Sequence, residues 1–146
     1  MPHGEIAIGV VTSLVNIAIH AVIMAIVSWV AHGTARAASD KSERRRLVLV
    51  MMAAVTVLMA AHLLEIAVWA IVYVLLDVVP QRGQAFYFAF VNYTTLGYGD
   101  VLPAEYWRLL GPMTAMNGVL LFGWSTAVIY DVLRTVAQAI PMRSNR

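Results

Sequence analysis

Thr94-Thr95-Leu96-Gly97-Tyr98-Gly99-Asp100 is a polar, glycine-bearing heptapeptide set between long apolar runs. Gly97 and Gly99 take φ > 0 without a Cβ penalty, so the peptide planes beside them can turn several carbonyl oxygens toward one line. The setting is apolar throughout. Of 146 residues, 61% are hydrophobic and 12% charged, against about 25% charged in an ordinary soluble domain. A small integral membrane protein is expected. The formal charge of +2 means little until its members are placed, and the absence of cysteine excludes disulfides and thiolate metal sites.

Residues 85–95, just before the glycines, are apolar and aromatic but too short to cross a bilayer. They read as a half-helix that enters the membrane and turns back, which lipid tolerates only where protein or a water-filled path surrounds it. Residues 77–84, with Pro80 and Gly83, lead in; residues 101–110, with Pro103, Glu105, Tyr106, Trp107 and Arg108, lead out to the same face.

Three longer runs surround this unit. Residues 111–140 form one span. Residues 47–76 form another, apolar except for Thr56, His62 and Glu65, with Trp69 and Tyr73 expected in an interfacial aromatic belt. Residues 6–30 carry no formal charge and measure ~37 Å as a helix, enough for a ~30 Å hydrocarbon core. That run is long for a signal h-region and no basic n-region precedes it, so it is expected to be retained. Residues 31–46 read as a basic loop, with Ser39-Asp40 or Ser42 capping the next helix.

Charge then orients the chain. The face holding 77–84 and 101–110 carries Arg82 and Arg108. The other carries Arg36, Lys41, Arg44, Arg45, Arg46, Arg134, Arg143 and Arg146. The positive-inside rule puts the heptapeptide and the N-terminus outside and the C-terminus in the cytoplasm of a multi-pass cell-membrane protein.

The heptapeptide and its flanks resemble the pore domain of tetrameric, bacterial-type potassium channels. Ala85-Phe86-Tyr87-Phe88-Ala89-Phe90-Val91-Asn92-Tyr93-Thr94 is similar to the pore helix, with its aromatic pair at Tyr87 and Phe88. Gly118-Val119-Leu120-Leu121-Phe122-Gly123-Trp124-Ser125-Thr126-Ala127 is similar to the inner helix, where a hinge glycine precedes Phe-Gly and Thr-Ala at this spacing. The resemblance covers residues 47–140 as outer helix, pore helix, selectivity filter and inner helix. Residues 1–46 are an additional N-terminal helix and basic loop, and 141–146 a short basic tail.

The fold class implied is all-α integral membrane: three transmembrane helices plus a re-entrant pore helix and filter loop, assembled as a homotetramer. The resemblance implies K+ as the permeant ion. It would be bound by the carbonyls of Thr95, Leu96, Gly97 and Tyr98 and the Thr95 hydroxyl, with Gly99 completing the filter. Tyr87, Thr94 and Asp100 would support it, the Tyr87 hydroxyl standing in for a tryptophan that bonds the aspartate in many relatives. Gly118, Val119, Phe122, Gly123, Thr126 and Tyr130 would line the cavity or gate it. Independently of family, Val119, Phe122, Thr126 and Tyr130 follow one helical stripe. Tyr130 reads either as a constriction or as a belt residue, Asp131 either as a cation-concentrating ring or as a partner of Arg134. Gly118 and Gly123 read as bending points or close-packing sites.

Some residues fit no family role. Asn16 and His20, at i and i+4, and His62 and Glu65, at i and i+3, lie at comparable depths in two spans, where ionisable groups are costly and need partners. They are expected to form a polar cluster between helices or subunits, with two sharper versions: Glu65 bracing the filter from behind, or a histidine sensing protons. Asn92 and Tyr93 are expected to pack against neighbours. His62-x-x-Glu65 makes a poor metal or protease site because no other residue is seen to join it. Arg44-Arg45-Arg46 reads as a topology signal with anionic-lipid contact, not as a nucleic-acid patch. No arginine-repeat span suggests a voltage sensor, no enzymatic chemistry is evident, and no cofactor is expected. Alternatives to the potassium channel are a less selective cation channel, or a non-conducting membrane sensor or partner subunit with a channel-like fold.

Overall fold

The computed structural model describes residues 3–36 and 43–138. Lys41, Arg143 and Arg146 of the charge count, and the caps expected at Ser39-Asp40 or Ser42, lie outside the described residues. Four α-helices follow in order: α1 (His3–Arg36), α2 (Glu43–Leu75), α3 (Ala85–Tyr93) and α4 (Leu110–Gln138). Short 3-10 turns at Arg82–Gln84 and Glu105–Trp107 introduce α3 and α4, and no strand occurs among the described residues. Three stretches, His3–Gly33, Leu47–Leu75 and Glu105–Gln138, are long and apolar enough to cross a bilayer.

The helices run longer into the basic segment than the sequence suggests. Nothing after Val30 stops α1, because residues 31–36 contain no proline and a single glycine, so the helix continues to Arg36. Arg44, Arg45 and Arg46 likewise belong to the start of α2, not to a loop. At the other extreme α3 is shorter, ending at Tyr93 instead of Thr95.

α1 and α4 run parallel. Glu5 accepts the Leu109 backbone N–H at 2.9 Å, Gly9 lies against Met113, Asn16 meets Asn117, and His20 meets Trp124 and Ser125. The first contact has a local cause. Leu109 immediately precedes α4, where backbone amides lack helical partners and the dipole favours an anion. α2 runs antiparallel to both. The Ala104 N–H donates to the Val78 carbonyl at 2.9 Å, joining the segments before and after α3 on one face.

Two apolar cores result. One, toward the face holding the α3 loop, packs Ile66, Trp69 and Tyr73 of α2 against Phe88 and Tyr93 of α3 and Leu110 of α4. The second, toward the opposite face, packs Met24 and Val27 of α1, Leu58 of α2, and Val128 and Val132 of α4. Between them lies a buried polar layer of Asn16, His20, His62, Glu65, Asn117 and Ser125. Trp69 and Tyr73 are not belt residues: both are fully buried. Their polar tips find partners on α4, the Trp69 indole donating to Asn117 Oδ1 at 3.0 Å and Tyr73 meeting Thr114 at 2.5 Å.

Asn16 Nδ2 donates to the Glu65 backbone carbonyl and to Asn117 Oδ1, each at 3.1 Å. The indole is an obligate donor and the backbone carbonyl an obligate acceptor, so the orientation of both amides is set. Asn117→Leu removes the acceptor of the Trp69 N–H and of Asn16. The variant is expected to lose about 1–3 kcal/mol for each buried donor left unpaired, read as a lowered thermal midpoint of the purified protein.

Gly118 is a close-packing site. A Cβ there would collide with the Tyr93 carbonyl of α3, whereas one on Gly123 meets nothing within 4 Å. Gly118→Ala is therefore expected to destabilise by about 1–3 kcal/mol through overpacking. Gly123→Ala serves as the control and should leave the midpoint unchanged.

Candidate functional site

The heptapeptide begins where α3 is forced to end. Thr95 N–H donates to Asn92 O and Leu96 N–H to Val91 O, both at 2.9 Å. This crossed pair is the Schellman closure, which needs a left-handed residue just past the helix. That residue is usually glycine; here it is Thr95, at φ 58°. A β-branched side chain in this region is a genuine outlier. Positive φ then recurs at every second residue, 59° at Gly97 and 76° at Gly99. An ordinary strand points successive carbonyls to opposite sides; inverting φ at alternate residues turns every other peptide plane over and gathers the oxygens on one side. Residues 95–100 are all exposed in the single chain, Tyr98 at 69%.

Side chains tie the loop back to α3. The Tyr87 hydroxyl donates to Asp100 Oδ2 at 2.7 Å, and Thr94 Oγ1 donates to Phe90 O at 2.8 Å. The Asp100 carboxylate holds the Tyr87 phenol above its ordinary range, so this strap keeps its proton throughout neutral pH. Phe88, the other member of the aromatic pair, is buried against Tyr73 at a centroid distance of 5.3 Å. A recess of about 170 Å³ behind the loop is lined by Tyr87, Asn92, Gly97, Asp100, Arg108 and Gly111. Asn92 donates within its own helix, to Phe88 O at 2.7 Å.

The four polar residues of α1 and α2 meet in the buried layer. His20 Nδ1 lies 2.8 Å from Glu65 Oε1, and His62 Nδ1 lies 3.1 Å from Glu65 Oε2. His62-x-x-Glu65 thus acquires a third member from α1, contrary to its isolation in the sequence, although the pair of ring nitrogens facing the carboxylate makes it a hydrogen-bonded group. Tyr93, the last residue of α3, donates its hydroxyl to Glu65 Oε2 and lies 2.9 Å from His62 Nδ1. Ser125 of α4 closes the far side, 3.0 Å from His62 Nε2 and 3.4 Å from His20 Nε2. The sequence reading expects Tyr93 to pack against neighbours but gives no role in this group to Tyr93, Ser125 or Asn117. Only spatial proximity gives them a role, and their spacing along the chain carries no signal.

On α4 the expected cavity residues divide. Val119, Phe122, Gly123, Thr126 and Tyr130 are exposed, while Gly118 is buried on the opposite side, against α3. The missing side chain of Gly118 lets the end of α3 approach. The Phe122 ring touches both His62, at 4.5 Å, and Tyr93, at 5.4 Å, so the exposed stripe contacts the polar layer there. Asp131 and Arg134 form no ion pair with each other among the described residues.

Comparison with known proteins bears on this arrangement. No curated protein and no solved structure matches the chain. A family model described as ion channel matches residues 59–135, more than half of the sequence. The matched stretch begins within α2, contains α3 and the glycine loop, and reaches most of the way along α4. That stretch covers more than half of the sequence, and the chain belongs to the ion channel family.

Proposed function

We propose that four copies of this chain form a potassium-selective channel that conducts K+ passively through one central filter. The observation that carries this reading is the alternation of φ at Thr95, Gly97 and Gly99. Carbonyls of Thr95, Leu96, Gly97 and Tyr98, with the Thr95 hydroxyl, would replace the water around the ion. One loop supplies oxygens from one side only, and irregular backbone at membrane depth must be surrounded by protein or a water path. Cyclic fourfold assembly meets both needs at once. The exposed Phe86 and Phe90 of α3 offer apolar surface for neighbouring copies.

In this assembly Val119, Phe122, Thr126 and Tyr130 face the axis below the filter. The outer face carries Arg82 and Arg108 and the cytoplasmic face the other eight basic residues, so the N-terminus is outside and the C-terminus inside. Arg44, Arg45 and Arg46 sit at a helix N-terminus, where the dipole disfavours cations. Anionic lipid headgroups at the cytoplasmic leaflet supply a compensating attraction.

Rubidium uptake into liposomes loaded with K+ tests the reading. Liposomes with wild-type protein should take up rubidium, and loading them with sodium in place of potassium should abolish the uptake. Sodium flux equal to potassium would favour the less selective cation channel, and no flux from assembled protein would favour a non-conducting subunit. Gly99→Ala forces a Cβ onto a residue at φ 76°. It should cut flux by about tenfold or more, the scale of about 1–3 kcal/mol of backbone strain, while far-ultraviolet circular dichroism stays that of wild type.

A further inference from the structure

The buried group around Glu65 has a hydrogen count that does not close with neutral histidines. The titratable groups that meet there are His20 from α1, His62 and Glu65 from α2, and Tyr93 from α3; α4 contributes the neutral Ser125, Trp124 and Asn117. The Tyr93 hydroxyl donates to Glu65 Oε2. His20 Nδ1 faces Glu65 Oε1, and His62 Nδ1 faces Glu65 Oε2 and the Tyr93 oxygen, so both Nδ1 atoms are best satisfied as donors. A neutral imidazole with a proton on Nδ1 has only a lone pair on Nε2. Both Nε2 atoms lie within hydrogen-bonding distance of the same Ser125 Oγ, at 3.0 and 3.4 Å. One hydroxyl has one hydrogen, and one ring is left facing a lone pair.

A single added proton removes the conflict. On one Nε2 it donates to Ser125 Oγ, and the serine hydroxyl donates its own hydrogen bond to the Nε2 of the other ring. The ring Glu65, His20, Ser125, His62 then closes with every donor matched. The same proton neutralises a carboxylate that is fully buried and has no lysine or arginine partner among the described residues. Two independent requirements, hydrogen-bond closure and charge balance, ask for the same proton.

We propose that His20, His62, Glu65 and Ser125 together hold one exchangeable proton, and that its release at alkaline pH slackens the Tyr93 anchor of α3 and reduces conduction. The link to the pore runs through one residue: Tyr93 is bonded to Glu65 and directly precedes Thr94 and Thr95. The coupling half of the proposal rests on the channel reading above; the proton site does not. His62 is the most exposed member, with 11% of its side chain accessible, beside Phe122 of the exposed stripe, which gives the proton a route.

The full chain in lipid bilayers, labelled with ¹⁵N in its histidines, separates the two halves by nitrogen chemical shift across a pH titration. His20→Gln and His62→Gln assign the buried signals against His3 and His32. One imidazolium per chain from the buried pair at neutral pH, lost in a single step on alkalinisation, is the expected result. Both buried rings neutral at pH 7 overturns the proton site.

Rubidium flux should fall at the same pH, with the slope of a single proton, about tenfold per pH unit beyond the midpoint. A proton step with no matching fall in flux overturns the link to the pore. Ser125→Ala removes the acceptor of the added proton and should change the pH profile of both the nitrogen signal and the flux. A merely structural serine would change the amount of flux and leave its pH profile in place. Absence of flux at every pH counts against the pore reading instead, and the nitrogen titration then decides the proton site alone.

Discussion

The chain stops a helix at membrane depth, and most of what surrounds that stop exists to make it tolerable. The last carbonyls of α3 have no helical donors, and unpaired groups there cannot turn to water. The crossed bonds from Thr95 and Leu96 satisfy two of them, each worth about 1 kcal/mol net and more if left unmade. The closure demands a left-handed residue, and Thr95 occupies that place at a cost of order 1–3 kcal/mol. Glycine would relieve the strain, but it would also remove the Thr95 hydroxyl.

A helix end held only by its own capping bonds would still rock within an apolar setting. Three lateral contacts prevent this. Gly118 lets the Tyr93 carbonyl reach the surface of α4, the Tyr93 hydroxyl is held by Glu65, and Tyr87 straps the far end of the loop through Asp100. The same crossed closure recurs at the end of α2, where Asp77, at φ 49°, is the left-handed residue and Val78 and Asp77 donate back to Tyr73 and Val74. Both helices preceding the loop are thus stopped by backbone geometry, with neither a proline nor a glycine at the stop.

That is also why the sequence reveals the stops only in part. The half-helix, the glycine loop and the three spans follow from run length and from residues that tolerate positive φ, and the structure agrees with them to within a few residues. Thr95 follows from nothing local, since a β-branched residue does not announce a left-handed turn, whereas Asp77 is of a type that tolerates one. The polar residues Asn16, His20, His62 and Glu65 stand out against apolar runs because their burial is expensive. Two of their partners do not: a tyrosine at the end of an aromatic helix and a serine beside a tryptophan look like ordinary composition. Trp69 and Tyr73 mislead for the same reason, being placed by distance along the helix when polar contacts on α4 decide their position.

α1 falls outside the stretch that marks the family, which makes it tempting to treat as an appendage. The contacts argue otherwise. It supplies the carboxylate that meets the amide at the start of α4, the amide that reaches the Glu65 carbonyl, and the histidine that covers Glu65 Oε1. Without His20, one oxygen of a fully buried carboxylate would lose the partner it has here, and half of the bonding that steadies Tyr93 would rest on a less well-neutralised group. Conversely, Asn16 and His20 are tolerable in an apolar helix only because Glu65, Asn117 and Ser125 stand opposite them. Each side makes the other affordable. The first helix is therefore a constituent of the structure behind the glycine loop, and the polar layer it shares with α2 and α4 is what fixes its parallel direction.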